Sequence, residues 1–267
     1  MTKASQLVTG AMLLSLNSCT VPLLSEPDQP PDFIPANIMA IPNATPRFEP
    51  RTRAGNPPEY EVLGKRYRTL GHSHNYQALG VASWYGTKFH GKKTANGETY
   101  DMFAMTAAHK TLPIPSYVKV TNLVNKRSVI LRINDRGPFH DNRLIDLSYT
   151  AAAKLDILKK GTGFVRIQSI NTAKPSIYLP RPSRLGDKKN NVYLQVGAFQ
   201  HLENAQNLQQ KLSHKHLPKS RIVTTSKSQG LIIHKLQFGP IVSVNEADRL
   251  MQRLSKIGYS ALHFITE

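Results

Sequence analysis

Apolar and polar residues alternate over residues 117–123 (YVKVTNL), 129–134 (VILRIN) and 163–170 (GFVRIQSI), and Gly, Pro or Asn punctuates each run. That spacing turns one face of each run to a core, so it predicts strands, and their succession from about Gly80 predicts a compact β-rich domain. One helix is expected to interrupt it, over residues 149–158: the stretch is Ala-rich, Ser148 offers an N-cap hydroxyl and Gly161 closes it. The texture then changes. Strands are predicted over 192–199, 221–225, 231–238 and 261–265, and helices over 204–213 and 245–256. Ala205, Leu208 and Leu212 line one helix face, and Ala247, Leu250, Met251 and Leu254 line the other. The order βαββαβ defines a ferredoxin-like, split βαβ sandwich.

Between these elements the patterning fails. Ten prolines fall between Cys19 and Pro58, a density that removes ladder donors and predicts an extended, solvated tether. Residues 174–191 combine prolines with five basic side chains and read as a second linker. The chain therefore divides into an N-terminal signal (1–18), a Pro-rich tether (19–77), a compact β-rich domain (78–171), a basic linker (172–189) and an α+β domain (190–267). At the start, Lys3, a short apolar run and small residues up to Cys19 have the order of an export signal. No stretch reaches the ~18 to 20 apolar residues of a spanning helix, which excludes a helical channel or transporter.

Charge adds a partner class. Lys and Arg total 35 against 17 Asp and Glu, a net charge of +18, and fourteen basic against six acidic residues lie within 78–171. Such a surface suits a polyanion, whether nucleic acid, anionic lipid or an acidic cell-wall polymer. Nucleic acid is disfavoured, because 231–240 lacks the aromatic strand motif of an RNA-recognition module and an export signal removes the partner. Ten histidines occur without an HExxH or paired Cys/His spacing, so neither a metal nor a cofactor is expected.

The candidate chemistry lies in 80–150. Glu98 sits in an Asn-Gly turn, Asp135 closes the 129–134 strand, and His109 lies between them in sequence. Cleaving a glycosidic bond needs a proton for the leaving oxygen and a second group for the developing positive charge, which two carboxylates supply. On residue types alone, Asp135 could equally pair with Arg136 or cap the Gly-Pro turn, Glu98 could be a solvated turn residue, and His109 could be a packed histidine.

The strings SWYG (83–86), FHGKKTANGE (89–98), YDM (100–102), TAAHKTLP (106–113), RINDRGPF (132–139) and IDLS (145–148) closely resemble the double-psi β-barrel of the rare lipoprotein A family. YLQVGAF (193–199) and LQFGP (236–240) resemble a SPOR domain, and Leu16-Asn17-Ser18-Cys19 resembles a lipobox. The resemblance implies a mainly β, double-psi β-barrel followed by a βαββαβ SPOR domain. It implies a lytic transglycosylase that cuts the MurNAc–GlcNAc β-1,4 bond without water, the muramyl 6-hydroxyl closing on C1 to leave a 1,6-anhydro end. Asp135 would be the acid and base, Glu98 would stabilise charge or position substrate, and His109 would orient a carboxylate. Tyr85, Asn96 and Arg136 are the substrate-binding positions in the barrel. Sugar rings dock on aromatic faces and amides, which makes Tyr193, Gln195, Phe199 and Gln237 the candidates in the SPOR domain for glycan strands stripped of peptides. Cys19 would be lipidated and, with Thr20 rather than Asp next, held at the outer membrane, with divisome proteins as possible partners at the septum. Some relatives of this barrel bind polysaccharide without cutting it, so a non-catalytic peptidoglycan-binding septal lipoprotein is the alternative. One departure stands out: Ile114-Pro115-Ser116 replaces the family's Gly-Thr turn, which bears on substrate preference more than on fold.

Overall fold

The computed structural model describes residues 28–140, 142–172, 191–215, 217–226 and 231–267; Cys19 and the lipobox lie outside them. Residues 28–58, expected as a solvated tether, instead strap the barrel. The Asn43 side chain accepts from Ile130 N, Ala44 N donates to Ile130 O, and Asn56 brackets Ile114, accepting from its N at 2.8 Å and donating to its O at 2.6 Å. Prolines deny the strap its own ladder donors, so Asn, Thr and Glu side chains supply the contacts. A hairpin that the patterning did not predict follows, β1 (Glu59–Val62) against β2 (Lys65–Arg68). Leu63 and Gly64 both turn at positive φ, 52° and 71°, the geometry that lets a two-residue loop follow strand twist.

Six strands close the barrel in the order β3-β7-β4-β6-β5-β8: β3 is Gln77–Trp84, β4 Thr106–His109, β5 Ser116–Asn122, β6 Ser128–Asp135, β7 Arg143–Leu147 and β8 Gly163–Ile170. The alternation read from sequence fills its interior, with Val118, Val120, Leu131, Ile133, Ile145, Leu147, Val165 and Ile167 all fully buried. Each such side chain contributes about 1.5–3 kcal/mol by leaving water. Two pairings, β3 with β7 and β4 with β6, are parallel, and both carry a bulge. Asn134 is the extra residue in β6 and Leu144 the extra residue in β7.

The helix α1 is Tyr149–Lys154, shorter than the 149–158 expected. Its start follows the sequence, since Ser148 Oγ accepts from Ala151 N. It stops early because the amides of Asn122 and Asn125, from the β5–β6 turn, donate to Leu155 O, and Asp156 turns at φ 59°.

The second domain runs β9 (Val192–Phe199), α2 (Leu202–Ser213), β10 (Ser220–Ser226), β11 (Ile232–Ile241), α3 (Val244–Lys256) and β12 (His263–Thr266). Its antiparallel sheet has the order β10-β11-β9-β12. Leu212 of α2 and Ala247, Leu250 and Leu254 of α3 join Val192, Leu194, Leu236 and Phe238 in one core. α3 begins where Ser243 Oγ accepts from Glu246 N, an N-cap. This is the predicted βαββαβ order.

Candidate active site

The barrel's register sets out the site. Ala108 of β4 pairs with Asp135 of β6 on one side and Asp146 of β7 on the other, and Asp146 in turn pairs with Ser83 of β3. Ser83, Asp146, Ala108 and Asp135 thus form one row across four adjacent strands. Each carboxylate lies just beyond its strand's bulge, a device that re-aims side chains near functional sites. All four line a cavity of about 1230 Å³, together with Trp84, Tyr85 and Phe89. At its edge Asp28 of the strap accepts from Gly86 N and Lys88 N.

Asp135 Oδ1 accepts from Ala95 N at 2.7 Å and Arg136 N at 2.8 Å, which leaves Oδ2 unshared among the described residues. Burial lifts its pKa above the usual carboxylate range, against the pull of those two amides. Asp146 is lifted too, by its burial, while the hydrogen bond from Ser83 Oγ opposes the rise. Raised carboxyls hold a proton to higher pH, as a general acid requires. Gly137 follows at φ 142°, and a Cβ there would lie 3.7 Å from Ala108 Cβ and 3.8 Å from Asp146 Oδ2. Asp146 and Ser83 were missed in the sequence, although IDLS and SWYG contain them; only the barrel pairings, parallel for β4–β6 and β3–β7 and antiparallel for β4–β7, bring them beside Asp135.

Glu98 has a different environment. Its Oε2 accepts from Arg132 Nη1 at 2.8 Å and Asn134 Nδ2 at 3.0 Å, while Glu49 of the strap accepts from the other edge of the same guanidinium at 2.9 and 2.8 Å. Burial pushes Glu98 up, but the Arg132 and Asn134 hydrogen bonds outweigh it and hold the carboxyl below its ordinary value. Glu98 is therefore a fixed anion. Asn96 shapes its turn, its Oδ1 accepting from Thr94 Oγ1 and Glu98 N.

The structure corrects two expected roles in the barrel. His109 does not orient a carboxylate: Nδ1 accepts from Thr111 N and Leu112 N, and Nε2 meets Tyr76 Oη at 3.1 Å. Both ring nitrogens are occupied, which assigns the Nε2–H tautomer. Burial, with the Arg136 and Lys110 charges, drops its pKa to about 3 and keeps it neutral. Arg136 borders the cavity but donates to Gly55 O, His109 O, Leu112 O and Asn56 Oδ1, so its guanidinium ties the strap to the barrel rather than waiting for substrate. Tyr85 lines the cavity and stacks on Tyr100 at 4.0 Å. The departing loop at 114–116 is held by the strap and contributes no lining residue to the cavity.

In the second domain the four candidates separate. Gln195 and Gln237 are cross-strand partners and share the helix-free face with Tyr193. Gln237 is only 2% exposed and accepts from Arg221 Nε and Nη2, while that guanidinium lies 3.5 Å over the Tyr193 ring. Gln237 therefore orients Arg221 through its Oε1, from within an almost fully buried position. Phe199 faces the other way. Val196 is bulged between Gln195 and Gly197, so Gly197 and Phe199 turn to the helix side, where the Phe199 ring and Leu208 of α2 occupy the space over Gly197.

A closed six-stranded barrel with paired aspartates in an open groove, followed by a βαββαβ domain, is the class of double-psi barrel enzymes joined to a SPOR module. Residues 77–167 match the family model described as lytic transglycolase, and residues 188–263 match that of the SPOR domain. The endolytic peptidoglycan transglycosylase RlpA of Vibrio cholerae is 44% identical over 237 residues, covering 88% of this chain and 85% of the relative. That of Pseudomonas aeruginosa strain UCBPP-PA14 is 38% identical over 280 residues, covering 85% and 81%. The crystal structure of the Pseudomonas aeruginosa RlpA SPOR domain aligns with 28% of this chain and 96% of its own length, at 30% identity and a TM-score of 0.26. The chain belongs to the RlpA family.

Proposed function

We propose that the protein is an endolytic lytic transglycosylase that cuts the MurNAc–GlcNAc β-1,4 bond of peptide-free glycan strands and leaves 1,6-anhydro-MurNAc ends. The observation that carries this reading is the row of Asp135 and Asp146 flanking Ala108 in one groove, both with raised pKa. With Oδ1 pinned by two amides, Asp135 offers Oδ2 to the glycosidic oxygen. Its proton passes to that oxygen as the C1–O4 bond breaks. The muramyl 6-hydroxyl oxygen then bonds to C1 and returns its proton to Asp135, which restores the acid with no water consumed. Asp146 faces the positive charge developing at C1, and the Ser83 hydroxyl bond favours its ionised form. Glu98 and Arg132 hold the turn that presents Ala95 N to Asp135.

The SPOR domain retains the strand through its helix-free sheet face, where Gln195 and the Arg221-covered Tyr193 lie. The mature chain begins at Cys19, lipidated and held at the inner face of the outer membrane, and works at the division septum with divisome proteins. The domain limits of 78–171 and 190–267 serve this reading.

The test is mass spectrometry of peptide-free strands digested by the intact protein beside Asp135→Asn. Anhydro-ended fragments from the wild type alone support the assignment. Intact strands that co-sediment with wild-type protein would replace it with the non-catalytic binding role.

A further inference from the structure

The C-terminal domain also stands against the mouth of the barrel groove. Asp248, one turn into α3, accepts from Arg143 of β7 at 3.2 and 3.5 Å. Phe264 of β12 meets Phe164 of β8 edge-on at 5.4 Å, and Arg166 donates to Thr266 Oγ1 at 3.2 Å. Val81, Leu123 and Phe164 of the barrel are buried in the same apolar cluster as the helices and sheet of the second domain. The cavity that holds Asp135 and Asp146 is therefore a cleft with two walls, the second built by Met251, Gln252, Ser255, Lys256 and Tyr259. At about 1230 Å³ it exceeds the ~300–1,000 Å³ of a single small-ligand pocket, which is room for several linked sugar rings.

We propose that α3 and the turn after it form the second wall of the glycan cleft, so that one strand is gripped by barrel and C-terminal domain together across the bond to be cut. This rests on the function proposed above. The wall's chemistry fits the occupant. Tyr259 and Met251 offer apolar surface to ring faces, and Gln252 and Ser255 offer hydrogen bonds to hydroxyl and acetamido groups. Lys256 is exposed and has no carboxylate partner among the described residues. A muramyl residue relieved of its peptide bears a lactyl carboxylate, and Lys256 is the cation placed to receive it; a peptide-bearing residue has an amide there instead.

The test is a charge-swap cycle on the intact protein, Arg143→Glu, Asp248→Arg and the two combined, with KM and kcat measured on peptide-free strands. Each single change raises KM roughly fivefold with kcat retained, about the worth of one ion pair whose side chains are 19% and 24% exposed, and the combination restores it. Lys256→Glu raises KM for peptide-free strands and leaves that for peptide-bearing strands unchanged. Singles with wild-type KM, or a double no better than the singles, overturn the wall; an equal effect of Lys256→Glu on both substrates overturns the carboxylate contact. Should the wild type cut neither substrate, it is the proposed function that fails. Co-sedimentation of the same variants with each kind of strand then decides the wall by the same pattern of loss and restoration.

Discussion

Glu49→Gln is the sharpest probe of the strap. Glu49 lies in a stretch whose ten prolines predict solvated chain, yet it grips Arg132 through both carboxylate oxygens and accepts from Tyr117 Oη. Its side chain and that of Arg132 are 18% and 17% exposed. The Arg132 hydrogen bonds pull its pKa from 4.5 to about 2 despite burial. A carboxyl that ionises near 2 when folded and near 4.5 when unfolded gains at most about 3 kcal/mol at pH 7. Solvent at this rim screens the pair, so about 2 kcal/mol is expected. Because the folded value is the lower one, the stabilisation is complete above 4.5 and is lost as pH falls toward 2. The single tryptophan, Trp84, packs against the barrel core, so urea unfolding followed by its emission reports the barrel. Glu49→Gln is expected to lower the midpoint by about 1 M at pH 7 and by less than half as much at pH 3. A midpoint within error of wild type at pH 7, or a difference that persists undiminished in acid, refutes the strap as a fastened part of the barrel.

Other consequences can be measured directly. Asp135→Asn should cut strand cleavage by at least about 10²-fold, the reach of a general acid, without loss of strand co-sedimentation. Asp146→Asn should slow cleavage and also raise the urea midpoint at pH 7. A carboxyl whose folded pKa is raised costs stability once ionised, and the advantage of Asn should fade as pH falls through that raised value toward 3.8. His109→Ala should cost about 2–4 kcal/mol, because Thr111 N and Leu112 N lose their acceptor inside the barrel. In nitrogen NMR the His109 ring should show a proton on Nε2 alone at pH 5, well above its value of about 3.

What could be read from sequence was what depends on local pattern. Val118, Val120, Leu131 and Ile133 alternate because their strands have one buried face, and Ser148 announces a helix start because a hydroxyl must meet free amides. Asp135 was legible through its motif. Asp146 and Ser83 were not, since their place beside Asp135 arises from the barrel's non-local pairings, two parallel and one antiparallel, between β3, β7, β4 and β6. Bulges hid more: the extra residue at Val196 turns Phe199 away from Gln195, and alternation counted through the bulge gives the wrong face. His109 was misassigned because its partners are two backbone amides of the next turn, which residue identity does not reveal. Proline density misled at 28–58, where it marks a chain without its own ladder, equally compatible with solvent and with a partner that supplies side-chain bonds.

The central claim is that paired barrel aspartates cut the strand with no water in the bond-forming step. Digestion of peptide-free strands in ¹⁸O-labelled water, read by mass spectrometry, tests it most directly. The account predicts new ends that are unlabelled and one water lighter than a hydrolysed end, and none from Asp135→Asn. Labelled reducing ends, or the same ends from Asp135→Asn, would contradict it.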